Sequence, residues 1–586
     1  MYIRTVKVPS SSGVVNEYVR VVEAYRQDGK VKQRVIADLG RKDMLQALLP
    51  KLERVLRGEP RLADQPADVH ILEAWTWGPI LLIHALFTQL GLWQILDQHL
   101  GQPKVREDAA QIPYADRVFV LIANRLVRPS SEHGLARWLE TDFVCDRHGR
   151  RFLPRWRRQG RVQVHFRQLQ AWYRTLDRLT AAKGAIEVAL YQRLRDLFSL
   201  QPDLVLYDIT STYFEGHGPE DLAKHGYSRD GKSQNVQVVV GLVMVAGWPI
   251  AHHVWAGNRV DGTTVTEVVR DLVARFAFRR VLFVGDRGMV SEDNLAALQA
   301  DGHGYLVGLR RRRNSQVDAW LQQVDESRWL DCPMGIGARE RQQPLHTRGQ
   351  EVSGPDSPQR VFVLDSDERR QYEQGKREQA MERTRVRLAK LQQRVADGKL
   401  TDPEQIGAAA TRALQAHHGY RYYCWELRDG VFHYEEDPVR LPQEKRLEGR
   451  YVIATGEKEI SLLDAVAWYK QLMDVERSFR HLKDVLALRP IYHQVEPRVK
   501  AHIFVAALAL LVQRLLERRL EDGGVDLSAP QSLQAVETVR LVNFRIDNKR
   551  RRGVSTPSAR ARQILKAVGI TETAPPTPAE GPDEVM

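Results

Sequence analysis

The sequence predicts a mixed α/β fold in which helices pack on a mixed sheet, preceded by a β-ribbon and a helical region. Three observations predict it. Residues 1–45 alternate apolar and polar side chains around Asp28-Gly29, a pair typical of a hairpin turn. Residues 46–200 carry apolar side chains at three- and four-residue steps. From residue 201 to 309, strand-like and helix-like segments follow one another.

Composition and charge restrict the class of partner. The 586 residues are 43% hydrophobic, which is typical of globular domains, and 87 Lys and Arg against 74 Asp and Glu give a net charge of +13. Such a surplus favours nucleic acid or an anionic membrane surface as partner. The longest clean apolar run, Ile503 to Val512, is shorter than the ~20 residues of a spanning helix, so we expect no membrane span. Three separated cysteines favour a reducing cytosol over a disulfide framework.

Two basic segments precede the predicted sheet. The ribbon carries outward Arg and Lys side chains, which suit either a solvated surface or contact with DNA. The stretch from Arg147 to Arg167 holds eight arginines and no acid, interleaved with aromatic residues. A solvated face is the ordinary alternative, but this composition suits phosphate contacts and base stacking. The residues that we expect to bind nucleic acid here are Arg155, Trp156, Arg157 and Arg158.

The segments that follow predict the order of the sheet. DLVLYDITSTYF is a strand, VQVVVGLVMV and IAHHVWAG form an antiparallel pair, and RVLFVGDRG and YLVGL are strands separated by a helix that begins at Ser291. After residue 309 this order stops, which indicates an insertion or a separate module before the strand GRYVIATG and a long helix. We therefore divide the chain into a β-ribbon (1–45), a helical DNA-binding region (46–200), the first part of the core (201–309), an α+β insertion (310–447), the end of the core (448–490), a C-terminal helical region (491–570) and a disordered, Pro-rich acidic tail (571–586).

Three acids stand out by their context. Asp208 lies among large apolar residues within a strand, Asp286 ends a strand, and Glu476 is in the middle of a helix. Each alone has an ordinary structural explanation, such as an ion pair with Arg or a cap on a turn. Together, carboxylates from two neighbouring strands and a covering helix can supply the oxygen ligands that Mg²⁺ prefers. Two such ions can activate a water or hydroxyl and stabilise the leaving oxygen of a phosphodiester.

The helix that carries Glu476 presents further polar residues. Tyr469, Glu476 and Lys483 are seven residues apart, so they share one stripe of a straight helix, and Arg480 lies beside it. A phosphate backbone that crosses this helix could contact both Tyr469 and Lys483. The alternative is the common stripe of a surface helix.

Three motifs resemble those of a known family. YDITSTYFEG, FVGDRGM and YKQLMDVERSFRHLKD are similar to the three acidic motifs of bacterial insertion-sequence DDE transposases. The third resembles the Tyr-x2-Arg-x3-Glu-x6-Lys signature of the group that includes hairpin-forming transposases, with Leu472 in place of the Arg. The ribbon is similar to the start of a large subgroup, so the resemblance extends from there to about residue 570.

The resemblance implies a ribonuclease-H-like catalytic core interrupted by the insertion. The same resemblance implies that Asp208, Asp286 and Glu476 are the catalytic ligands of two Mg²⁺ ions, for which Mn²⁺ could substitute. The DNA-contacting residues of the same region are Tyr469, Lys483 and Arg480. Trp425 in the insertion is a candidate to stack on a flipped base, the alternative being a core tryptophan in a strand.

The function that we expect from this resemblance is that of a DNA transposase. It would bind the terminal inverted repeats of an insertion sequence and catalyse metal-dependent strand cleavage and strand transfer, as a homodimer on double-stranded DNA in the bacterial cytoplasm. Two alternatives stay open: a catalytically inactive DNA-binding derivative and a nuclease without strand transfer.

Overall fold

The computed structural model describes most of the chain. The described residues are 1–9, 15–56, 69–104, 112–153, 157–159, 162–164, 166–200, 204–286, 291–309, 315–332, 346–352, 359–546, 549–576 and 584–585.

The strands within these ranges carry our labels in chain order. They are β1 (Tyr2–Pro9), β2 (Val15–Gln27), β3 (Lys30–Arg41), β4 (His70–Thr76), β5 (Arg151–Phe152), β6 (Arg157–Gln159), β7 (Val162–Val164), β8 (Leu204–Tyr213), β9 (Gln237–Val245), β10 (Trp248–Ala256), β11 (Leu282–Gly285), β12 (Gly304–Leu309), β13 (Leu330–Cys332), β14 (Thr347–Glu351), β15 (Arg360–Ser366), β16 (Tyr423–Arg428), β17 (Val431–Glu436), β18 (Arg450–Thr455), β19 (Arg540–Ile546), β20 (Lys549–Val554) and β21 (Glu584–Val585).

The α-helices are labelled in the same way. They are α1 (Lys42–Leu56), α2 (Gly78–Leu90), α3 (Leu92–Leu100), α4 (Tyr114–Val127), α5 (Leu135–Thr141), α6 (Phe166–Phe198), α7 (Val265–Phe276), α8 (Glu292–Ala300), α9 (Ser315–Gln322), α10 (Asp367–Ala396), α11 (Pro403–Gln415), α12 (Arg440–Leu447), α13 (Leu462–Arg480), α14 (Glu496–Asp522), α15 (Ala529–Val536) and α16 (Ala559–Ala567). A π-helical turn, His481–Val485, continues α13.

The chain divides into two compact units, of which the smaller comprises residues 1–74 and 542–553. It contains the predicted hairpin: β2 and β3 pair antiparallel through the turn Asp28-Gly29, whose φ angles of 54° and 74° are both left-handed. Asp and Gly tolerate this conformation, which matches the twist of the flanking strands. β1 adds a third antiparallel strand that the sequence did not predict. A second sheet has the order β20-β19-β4.

The larger unit comprises residues 75–541 and 554–586 and contains a nine-stranded sheet. Its order is β10-β9-β8-β11-β12-β18-β15-β14-β13. β8, β11 and β12 are parallel, and the remaining neighbours are antiparallel. Because parallel neighbours need crossover connections, the helices α7 and α8 lie between them in sequence. This arrangement confirms the prediction of a mixed sheet with packed helices.

Part of the predicted insertion belongs to this same sheet. β13, β14 and β15 continue it beyond β18, which pairs with β12 on one side and β15 on the other. The rest, from α10 to α12 with the hairpin β16–β17, has a hydrophobic core of its own that includes Leu388, Ile406 and Phe432.

Helix α14 runs through the main core of the larger unit. It is long and apolar enough to cross a membrane by length and composition, as are α2 and α3 taken as one pair bent by 72°. However, 83% of the most apolar stretch of α14 is buried inside the protein, where His502 and Gln513 are buried as well. Its packing is that of a core helix.

The segment that we assigned to a disordered tail is described in part. The indole of Trp77 donates a hydrogen bond of 2.7 Å to the carbonyl of Thr573. Further on, β21 pairs with β5 in parallel. Residues 577–583 and 586 lie outside the described residues.

A buried ionic network joins helix α6 to the sheet. The Glu187 carboxylate accepts hydrogen bonds from Lys183 at 2.8 Å and Arg275 at 2.7 Å, and lies 3.0 Å from the His252 ring. Burial opposes its ionisation, but these donors prevail and hold the pKa of Glu187 well below its usual range. The network therefore ties α6, β10 and α7 together.

Substitution Glu187→Ala tests this network. It leaves Lys183 and Arg275 without their shared buried anion, so we expect the free energy of unfolding of the larger unit to fall by about 3–5 kcal/mol. The measurement is urea unfolding followed by tryptophan fluorescence. As a matched control, Glu382→Ala removes an exposed carboxylate that pairs with Arg385 on the surface of α10. The control should leave the midpoint unchanged, and equal effects of both substitutions would contradict the role of Glu187.

Candidate active site

The pairing of β8 with β11 brings two acids to the same level of the sheet. These parallel strands are in register, with Leu282 beside Leu204 and Val284 beside Leu206. Continuing that register by two residues places Asp286, which follows β11, level with Asp208 in β8. Neighbouring strands lie only ~4.8 Å apart, so the backbone positions of the two acids are close together.

Helix α13 covers the face of the sheet on which Asp208 lies. Asp208 pairs with Leu242 and Leu206 with Met244, and since alternate residues of a strand share a face, these four side chains point the same way. The Ser478 hydroxyl of α13 contacts the Met244 sulfur at 3.4 Å. Glu476 lies on the same helix but, two residues earlier, points to a different side of it; its link to the site is its charge, which acts on Asp208.

The three carboxylates interact electrostatically. Burial and the charges of Glu476 and Asp286 raise the pKa of Asp208 to about 7. A hydrogen bond from the Ile209 amide and the charge of Arg229 lower this pKa, but their effect is smaller. Partial desolvation and the charge of Asp286 likewise raise the pKa of Glu476, while Arg480 lowers it. Asp208 and Asp286 are half-buried and Glu476 is exposed. The structure thus places the three acids that the sequence singled out within range of one another's charges.

Such a set of donors fits a divalent cation. It is made of carboxylate oxygens, which Mg²⁺ and Mn²⁺ prefer. Repulsion among the carboxylates is what a bound cation would relieve. A hydrogen bond of 2.8 Å from the Ile209 amide orients the Asp208 carboxylate.

The other predicted residues of α13 have different environments. Arg480 is exposed at the end of the helix. Tyr469 is half-buried, its ring lies 6.0 Å from that of Tyr451, and its hydroxyl packs where a β-carbon of Gly308 would be. Leu472, at the position where the resembling signature has Arg, is buried in the core and offers no phosphate donor. Of these residues, only Arg480 presents a charge to solvent.

Lys483 forms an ion pair with an acid, Asp230, that the sequence did not single out. Its amine donates a hydrogen bond of 2.9 Å to Asp230, which also pairs with Arg489, and both Lys483 and Asp230 are less than 10% exposed. Burial lowers the pKa of Lys483, against the opposing effect of Asp230. Because Lys483 lies on the π-helical turn, the straight-helix stripe that predicted its position ends at Arg480.

The loop between β8 and β9 supplies residues that the sequence reasoning missed. Arg229 is half-buried, its amide donates to Ser211 at 3.0 Å, and its charge acts on Asp208. The next residue, Asp230, connects the loop to the turn after α13. A signal was present in the sequence SRDG, a charged pair between turn-forming residues just after the Asp208 strand.

The remaining nucleic-acid candidates lie elsewhere. Arg155 and Trp156 lie outside the described residues, and Arg157 and Arg158 belong to β6, which pairs with β7. Trp425 is half-buried in β16 and stacks on Phe432 at 5.6 Å. That contact is with the separate core of the insertion.

A second polar cluster lies apart from the carboxylates. Glu132, His493 and His502 are close enough together to hold a metal ion. However, Arg125 lies 2.9 Å from Nδ1 of His502, and the carbonyl of Leu488 lies 3.1 Å from Nε2. Both ring nitrogens of His502 therefore have protein partners. We interpret the cluster as a hydrogen-bonded brace for the segment after the π-helical turn.

Comparison with known protein families identifies the class. A family model described as a transposase DDE domain matches residues 201–512, more than half of the chain, and includes all three acids. A second model, described as the N-terminal domain of IS1634 family transposases, matches residues 3–69. No curated protein matches the chain.

The DDE match places the protein among the transposases, enzymes that act on DNA and generally use a divalent metal. With its N-terminal domain, the chain belongs to the IS1634 family of transposases. The resemblance seen in the three acidic motifs is thereby confirmed.

Substitution Asp208→Asn should stabilise the metal-free protein at high pH. The folded-state pKa of about 7 lies above the ordinary 3.8, so ionised Asp208 opposes folding increasingly from pH 4 to 7 and fully above pH 7. We expect a gain of about 1–3 kcal/mol at pH 8 and little at pH 4.5. Thermal melts in a chelator at both pH values measure it, with the exposed Glu459→Gln as control. A gain that does not depend on pH would contradict this reading.

Proposed function

We propose that this transposase binds the terminal inverted repeats of its insertion sequence and cuts DNA at the transposon ends, using Asp208, Asp286 and Glu476 as ligands of two Mg²⁺ ions. The observation that supports the proposal is that these three carboxylates, in β8, just after β11 and in α13, act on one another: desolvation and their mutual repulsion raise the pKa of Asp208 and of Glu476. Mn²⁺ has the same preference for oxygen ligands and should substitute.

The roles of the protein groups follow from their positions. The three carboxylates bind the ions, and the sheet register and the Ile209 amide fix the direction of Asp208. When bound, the ions activate the attacking oxygen and stabilise the leaving one. Arg480, exposed one turn beyond Glu476, is placed to hold a phosphate of the strand to be cut. No side chain need form a covalent bond to DNA.

Further DNA contacts extend the proposal. We assign phosphate contacts to Tyr469 and Lys483 by their match to the family signature, and duplex contacts to the basic segment of Arg155, Trp156, Arg157 and Arg158. Trp425 is assigned to base stacking on the same ground. For Tyr469, Lys483 and Trp425 the present packing would have to change on DNA binding.

Strand transfer and assembly belong to the same proposal. The 3′-hydroxyl released by cleavage would attack target DNA, and pairing of two transposon ends implies a homodimer on DNA. The site of action is the bacterial cytoplasm, at the nucleoid. A strand-transfer assay separates this function from that of a nuclease, and an absence of cleavage with Mg²⁺ would indicate an inactive DNA-binding derivative.

Alanine substitution of each acid tests the catalytic assignment. We expect Asp208→Ala, Asp286→Ala and Glu476→Ala each to lower strand cleavage by roughly 10³-fold or more, since each removes a ligand of the reacting centre. Binding to end-containing duplex, measured by gel shift in a chelator, should stay near that of the unsubstituted protein. Glu459→Gln is the control for cleavage. Wild-type cleavage by any one alanine variant would remove that residue from the site.

Metal affinity should depend on pH through Asp208. With a pKa of about 7 in the metal-free protein, this carboxyl must lose a proton before it binds a cation at lower pH. We expect the Mn²⁺ affinity, measured by calorimetry, to rise by up to about tenfold per pH unit from pH 5 to 7 and to level off above pH 7. The variant Asp208→Asn should bind weakly at every pH. A flat profile for the wild type would contradict the proposed ligand.

A further inference from the structure

The hairpin formed by β19 and β20 carries a dense group of positive charges. Between Arg540 and Val554 the sequence holds six basic residues and one acid. Four of the cations, Lys549 to Arg552, are consecutive in β20, and all four are exposed. β20 is an edge strand, since the order of this sheet is β20-β19-β4.

The alternation of a strand distributes these charges. Lys549 and Arg551 share one face, and Arg550 and Arg552 share the other, with ~7 Å between cations on a face. Arg552 is held in place: its Nε donates to Asn543 at 3.1 Å, and Asn543 donates to Glu73 of β4 at 3.0 Å. In the described part of the chain, no carboxylate pairs with Lys549, Arg550 or Arg551. The edge therefore presents to solvent three cations that no carboxylate of the described residues compensates.

We propose that this hairpin is a DNA-contacting element in which Lys549, Arg550 and Arg551 bind phosphates of duplex DNA. The proposal deepens the proposed function, on which it rests. Cations on both faces of an edge strand suit a polyanion that passes along that edge. Because the contacts are to phosphates, the element adds affinity for any duplex without sequence preference.

A different explanation exists for a charged edge strand. Lys and Arg on an edge discourage pairing with the edge of another molecule, and so prevent aggregation. That explanation requires no DNA and predicts that neutral variants aggregate while their DNA affinity stays the same. The two readings therefore differ in a measurable way.

The test is the salt dependence of duplex binding by the full chain. The variant Lys549→Gln/Arg550→Gln/Arg551→Gln should bind both end-containing and arbitrary duplex about tenfold or more weakly at 0.1 M salt. Its plot of log affinity against log salt should be less steep by roughly 2–3, since each phosphate contact contributes about 0.9 to the slope. Anisotropy in a chelator measures binding without cleavage, so the result is independent of whether the protein cuts DNA.

Two further variants make the result decisive. Arg383→Gln/Arg387→Gln/Lys390→Gln removes the same charge from exposed positions of α10 and should keep the wild-type slope. Lys549→Arg/Arg550→Lys/Arg551→Lys keeps the charge and should restore binding. An unchanged slope in the hairpin variant, or an equal loss in the α10 variant, would overturn the proposal. Thermal melts exclude misfolding, and if the triple variant melts early, the single Arg551→Gln should lower the slope by about one.

Discussion

The aligned parallel pairing of β8 and β11 is the constraint on which the rest of the site depends. A shift of one residue would turn Asp208 to the opposite face of the sheet and separate it from Asp286. The register is held by backbone hydrogen bonds and by apolar side chains, among which Leu206 and Val284 are fully buried. Sheet formation thus supplies the free energy that keeps like charges side by side, against repulsion that would otherwise push them apart.

The helix that carries the third acid is held by close contacts along its length and by an ion pair after its end. At Gly308 the absence of a β-carbon admits the Tyr469 hydroxyl against β12, and Ser478 reaches Met244. At its end, the ion pair between Lys483 and Asp230 connects the π-helical turn to the loop after β8. Packing at one end and an ion pair at the other therefore fix the height of Glu476 above the sheet.

Local patterns in the sequence predicted what local forces determine. Alternation and turn residues located the Asp28-Gly29 hairpin and the strands that carry Asp208 and Asp286, and Ser291 caps α8 as expected. Contacts between distant segments were not predictable in this way. The partner of Lys483 lies 253 positions away, and no pattern of spacing encodes such a pair. The sequence pattern assumed one straight helix through Tyr469, Glu476 and Lys483, but a π-helical turn follows Arg480, so Lys483 does not continue the same helix face.

Strand β18 joins two parts of the chain that are separate segments in the sequence. It is hydrogen-bonded to β12 of the core and to β15 of the predicted insertion, so strands β13 to β15 of that insertion continue the sheet of the core. An ordinary inserted domain can be excised or exchanged by joining its two stems. Here excision would expose an edge of β18 that now has a partner, and an exposed edge invites pairing with other chains. The α10–α12 module, which has a core of its own, is therefore the part of this segment that we expect to tolerate replacement, unlike the strands that adjoin β18.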